Sequence, residues 1–170
     1  MKAEHQITTS KFQVQRVTVT SSEPFRSVVA KLDAAIGHPD MNSFTKGMVG
    51  AKTIVDLERI VKGAIGVSGL MEFVRFDIGL VLRKAHGEAA PQSVRLVIGN
   101  PLIMRQMTEH VPDAASYAPV TILIDERHDR VHLSYDRMAS LLAPYRNNEA
   151  SKVANDLDSK IEALLITAAT

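Results

Sequence analysis

Residues 93–104 read SVRLVIGNPLIM, and this stretch sets the architecture of the chain. Val94, Leu96 and Ile98 alternate with Ser93, Arg95 and Val97, the period of two that puts one face of a strand into a core. Gly99 then allows a turn, Asn100 is a strong helix-capping type, and Pro101 has its φ already set for a first helical residue. A core strand therefore passes directly into a helix, whose free amides could receive a polar or anionic group.

Other strands follow outward from this one. Residues 70–77, LMEFVRFD, alternate with aromatic side chains on both faces, which predicts a central strand covered on each side. Arg75 and Asp77 share one of those faces, and if buried they need each other or a ligand. Residues 120–125, VTILID, and 130–136, RVHLSYD, are joined by a short polar turn and predict a hairpin. Residues 12–20, FQVQRVTVT, predict a further strand whose alternation slips at Arg16 and Val17. Between the strands, Phe25, Val28, Val29, Leu32 and Ile36 have helical spacing, as do Ile54, Leu57, Ile60, Val61 and Ala64 behind a Thr53 cap. Residues 38–50 read as irregular chain, with His38 and Asp40 flanking Pro39 as in a turn rather than as metal ligands. Residues 79–84 extend or turn the preceding strand, and residues 102–107 and 138–142 form short helices. At the C-terminal end Val153, Leu157, Ile161, Leu164 and Leu165 line one stripe of a longer helix.

These elements predict an α+β fold, with an antiparallel or mixed sheet of about five strands and helices mainly on one face, plus a C-terminal helix. Residues 1–11 read as a flexible N-terminus. Residues 12–145 form a single domain with a helical insertion at 38–66, and residues 146–170 an amphipathic helix packed on it.

Twenty Lys and Arg against nineteen Asp and Glu leave a net charge of +1, and no basic run exists, so neither nucleic acid nor an acidic membrane is an expected partner. The absence of cysteine excludes thiol chemistry, disulfides and Cys-ligated metals. No stretch reaches transmembrane length and no leader precedes the first strand, so the expected location is cytoplasmic.

Catalytic patterns fail one by one. The glycines of residues 63–69, GAIGVSG, close a helix and open a strand, the reverse of a phosphate-binding loop. Ser68 lacks the second glycine of a nucleophile elbow. His132, Ser134 and Asp136 are two apart on one strand and project in parallel, which a catalytic triad cannot use.

Taken in order, GLMEFVRFD, LVIGNP, APVTILIDE and VHLSYD resemble the domain of unknown function 302 family. Residues 12–144 follow the family's order, with the specific motifs concentrated between Gly69 and Asp136. Two features depart from the family pattern: Ile78 stands where a histidine usually follows the Asp, and residues 38–66 are inserted. The resemblance implies a fold and candidate positions rather than an activity.

The functional expectation is a small-molecule binding or sensing module with a partly apolar pocket, needing no cofactor or metal. The alternatives are an enzyme of modest acid–base chemistry using Asp77 with Tyr135 or His132, and a structural oligomerisation domain, a homodimer being compatible with either the ligand or the structural reading. Strand ends mark the candidate ligand-binding residues: Arg75, Asp77, Asn100, Ser134, Tyr135 and Asp136. If these ends converge, they surround one pocket, with Arg75 holding Asp77 ionised. If each motif serves its own turn, Asn100 and Asp136 are caps and Asp77 a salt bridge.

Overall fold

The computed structural model describes residues 7–170. Part of the expected flexible N-terminus, residues 1–6, lies outside the described residues. In chain order the elements are β1 (Arg16–Ser21), α1 (Phe25–Ala35), α2 (Met41–Gly50), α3 (Ile54–Ala64), β2 (Met71–Asp77), α4 (Ile78–His86), β3 (Ser93–Gly99), α5 (Pro101–Thr108), β4 (Val120–Glu126), β5 (Val131–Asp136), α6 (Met138–Leu142) and α7 (Asn148–Ala169). The five strands form one sheet in the order β1-β5-β4-β3-β2, and every neighbouring pair is antiparallel. The fold is α+β, as the alternation of residues 93–104 and the later hairpin require.

One face of the sheet carries the core. Leu96, Ile98, Ile122, Ile124, Leu133 and Tyr135 project from it into a layer made by α1, α5 and α7, where Val28, Leu32, Met107, Ile161 and Leu165 meet them. On the opposite face Thr18, Arg95, Val97, Leu123 and Asp136 are open or only partly covered, while Ser134 among them is buried. A smaller core of Phe44, Val61, Ala64 and Met71 joins α2 and α3 to the start of β2. Here the backbones of two loops touch. A Cβ on Gly37 would lie 2.0 Å from the Ala64 carbonyl oxygen, and one on Gly66 would lie 2.4 Å from that of Ala35. Gly37 and Gly66 thus serve close approach between helix ends, while Gly69 takes a positive φ of 75° in the turn into β2, so neither Gly66 nor Gly69 acts in a phosphate loop.

Several expectations are corrected. β1 begins at Arg16 rather than residue 12, because only there does a partner run alongside, Arg16 facing Asp136. Phe12 instead places its ring beside Tyr117 and Tyr145, with centroids 6.3 Å from each. Residues 41–50 are helical, since the Asp40 side chain accepts from the Ser43 amide at 2.8 Å and caps the turn. Residues 78–86 are helical for the same reason: Asp77 ends β2 and caps α4, so the strand cannot continue. β2 is an edge strand, not a central one. Its register shifts between Glu72 and Val74, so the residues after this bulge change faces, and Val74 and Phe76 stand 43% and 46% exposed on the open side. Unbroken alternation would have turned Phe76 to the core with Glu72; the shift turns it to the open side.

α7 is docked, as its stripe predicts. Leu157, Ile161, Leu164 and Leu165 are buried, and the helix lies against α1, α5, α6 and β1. Among the described residues no helix is long and apolar enough to cross a membrane.

Candidate functional site

The six candidate residues separate into three places. Asp77 faces Val94 at the start of β3, whereas Asn100 follows the end of β3, so these two occupy opposite ends of the sheet. Ser134 and Asp136 lie on the open face, and Tyr135, between them, points the other way into the core. Among the described residues Tyr135, Asp77 and Asn100 line three different cavities. The expected common pocket does not form, because the motifs end strands running in opposite directions.

Tyr135 is 1% exposed, and its hydroxyl donates to Asp158 Oδ1 at 2.7 Å. Asp158, also fully buried, accepts the Met138 amide at 2.8 Å on Oδ1 and the Ala139 amide at 3.1 Å on Oδ2. A carboxylate from α7 thus caps α6, and the phenol completes its bonding. Burial first, and then the bond to Asp158, raises the phenol's pKa well above its ordinary value. That makes Tyr135 a fixed structural donor, and the expected acid–base pairing with Asp77 has no geometry.

Asn100 is a cap, accepting from the Leu102 amide at 2.9 Å while its Nδ2 donates to the Gly69 carbonyl at 3.0 Å. Asp136 does not cap a helix. It accepts two bonds from Arg16, at 2.7 and 2.8 Å. Ser134 shares a hydroxyl contact of 3.3 Å with Thr18, and His132 Nε2 lies 3.1 Å from Asp129 Oδ1. The histidine, serine and aspartate of this strand are each engaged by a different partner. Ser134 and Asp136, but not His132, border a groove of about 440 Å³ on the open face.

Arg75 and Asp77 lie in a different place, a cleft of about 660 Å³ where β2 ends and β3 begins. Phe25, Arg26 and Val29 of α1 form one wall, and Arg83 of α4 and residues 88–92 form the other. Val94 and the aliphatic parts of Ala89 and Ala90 contribute apolar surface. Arg75 does not pair with Asp77 as expected. Its guanidinium bonds Glu72, at 2.6 Å for the shortest contact, and also Asp33. The partner of Asp77 is Arg83, whose Nη2 donates to Oδ2 at 2.9 Å, and the Leu80 amide donates to Oδ1 at 2.8 Å. The amide bond chiefly, with Arg83 adding to it, holds the Asp77 carboxyl below the usual range.

That depressed value has a consequence for α4. The cap is at full strength above the ordinary Asp value of about 3.9 and is lost as pH falls through the lower folded value. Asp77→Ala is expected to cost about 1 kcal/mol at neutral pH. Amide exchange in α4 should rise in this variant at pH 7 and in the wild type only in more acidic solution. Equal exchange in the two proteins at pH 7 would refute the capping role.

Asp33, His38 and Glu72 bring one donor atom each within 4.8 Å of one another beside this cleft. His38 Nε2 donates to the Asp33 carbonyl at 3.0 Å, and its Nδ1 lies 3.7 Å from Glu72 Oε2. Both carboxylates already hold Arg75, so the group is an ion-pair cluster whose cation is the guanidinium. Asp40, the other residue beside Pro39, is taken up by its cap.

Sequence reasoning passed over Arg26 and Arg83. Arg26 falls off the apolar stripe of α1, directly after Phe25, which is the signal that it faces outward at the helix start. Arg83 became legible only once residues 78–86 were helical.

Comparison with known families places the chain. The sequence model of the family described as domain of unknown function DUF302 matches residues 51–168. The chain belongs to this family. The matched region includes α3, half of what the sequence presented as an insertion, and continues through α7. Among solved structures, the fold is similar to the crystal structure of an uncharacterized conserved protein DUF302 from Bacillus stearothermophilus. The likeness has a TM-score of 0.62 at 12% identity and covers 90% of this chain and 97% of that one. At that identity it speaks for the fold alone. No curated protein matches the chain.

Proposed function

We propose that this member of the family is a cytoplasmic small-molecule binding module whose ligand occupies the cleft between α1, the end of β2 and residues 88–92. One observation supports this reading above the others. The cleft joins apolar surface from Phe25, Val29 and Val94 to guanidinium groups that still have free donors. Among the described residues Arg26 has no ion-pair or hydrogen-bond partner, and Arg83 uses one nitrogen on Asp77. A volume of about 660 Å³ is that of ordinary ligand pockets. The open-face groove offers less, because its charged side chains are already in ion pairs, Arg16 with Asp136 and Arg127 with Asp125, which lies outside the groove.

The test is ligand capture from cell extract, read by mass spectrometry, with the wild type and with Ala89→Trp. Ala89 is exposed at the cleft, so an indole there blocks entry without touching the core. A compound retained by the wild type and lost from the variant supports the module. Equal retention by both, or none by either, contradicts it.

Self-association is a second reading, favoured by a run of exposed apolar side chains. Val74, Phe76, Ile78, Leu80 and Val81 are all exposed within eight residues along the β2 edge and α4. If this surface pairs two copies, Phe76→Glu should convert a dimer to a monomer in sedimentation equilibrium. A wild type that sediments as a monomer at high concentration rules the homodimer out.

A further inference from the structure

We infer that the ligand is a monocarboxylic acid with a short aliphatic body, its carboxylate held between Arg26 and Arg83. This deepens the cleft reading and rests on it. Three acidic residues line the cleft, and two of them are occupied: Asp77 by the Leu80 amide and Arg83, and Glu126 by the Gln92 amide at 3.2 Å. Of the three arginines, Arg75 is held by Glu72 and Asp33. The unused donors therefore belong to Arg26 and to the remaining nitrogens of Arg83, among the described residues.

A guanidinium presents its N–H groups as a planar fork that matches a carboxylate. The neighbouring carboxylates of Asp77, Glu88 and Glu126 set a limit on ligand charge. They balance the three arginines of the lining, so the cleft holds no surplus positive charge; a single negative charge paired directly on Arg26 is repelled least and a doubly charged phosphate most. Phe25, Val29 and Val94 supply surface for a hydrocarbon chain behind the headgroup. The combination of the unpaired Arg26 guanidinium, the spare donors of Arg83, flanking carboxylates and an apolar wall selects a small amphiphile of charge −1.

The experiment is a titration of the full chain with hexanoate, hexanamide and inorganic phosphate, read by calorimetry and by the amide resonances of Phe25, Val29 and Val94. It is repeated with Arg26→Ala and Arg26→Lys. Arg26 is exposed and its substitution leaves the core intact. Hexanoate should shift the three resonances, and hexanamide should bind at least about tenfold more weakly, since a charge-assisted pair is lost. Arg26→Ala should weaken hexanoate by about tenfold, with partial recovery in Arg26→Lys. Hexanamide binding as tightly as hexanoate at these resonances overturns the anion while sparing the cleft as a binding site. Phosphate binding more tightly than hexanoate overturns the single charge. If none of the three moves the cleft resonances, the inference fails, and a failed extract capture would then remove the module reading as well.

Discussion

Asp158→Ala is expected to lower the stability of the folded chain by about 3–5 kcal/mol, measured as a fall in the urea midpoint at unchanged slope. The carboxylate accepts from the Tyr135 hydroxyl and the Met138 and Ala139 amides, all in a region closed to water. Removing it leaves the Tyr135 hydroxyl and the Ala139 amide without an acceptor, leaves the Met138 amide only its longer bond to the Tyr135 hydroxyl at 3.2 Å, and strips the carboxylate cap from α6. Each such donor costs roughly 1–3 kcal/mol when buried, partly offset because an ionised group no longer has to be desolvated. Asp158→Asn keeps one accepting oxygen and should lose about half as much. Tyr135→Phe removes only one donor and should be the mildest of the three. A loss under about 1 kcal/mol in Asp158→Ala would show that water reaches the site and that the α6–α7 junction does not depend on this carboxylate.

Leu157→Asp should be as damaging by a different route. Leu157 is 3% exposed and borders a small apolar slot walled by Ile103, Met104, Met107 and Pro119. A carboxylate there has no donor to meet it, so the expected cost is on the order of 3 kcal/mol or more, visible as a lower melting temperature. The two variants sit on adjacent residues of α7, and the contrast is informative. One position needs a carboxylate and its neighbour rejects one. An unchanged melting temperature in Leu157→Asp would mean that α7 is a solvated appendage, against its packing on α1, α5 and β1.

The legible parts of this fold were those with a local cause. Val94, Leu96 and Ile98 alternate, and Asn100-Pro101 starts a helix, because strand period and capping are properties of neighbouring residues. The α7 stripe was readable for the same reason. β2 misled because a bulge, which depends on the partner strand, moved Phe76 and Val74 onto the open face. Helix α2 went unseen because its buried content is Phe44 alone, too little for a stripe. The candidate site was half legible: Arg75 and Asp77 border the cleft, but their partners are Glu72, Asp33 and Arg83 rather than each other. Asn100 proved to be the cap its type suggests. Tyr135 was placed on the correct strand face with Val131 and Leu133, yet its partner lies 23 residues further on. A signal for that partner did exist: Asp158 stands on the α7 stripe between Ala154 and Ile161, where a solvated acid does not belong.

The claim that the cleft, and not the open face, receives the ligand is tested most directly by mapping amide resonance shifts with the compound recovered from extract. The largest shifts are expected at Phe25, Arg26, Gln92, Ser93 and Glu126, around the cleft. Shifts concentrated at Thr18, Thr121, Leu123 and Ser134, along the open-face groove, would contradict it.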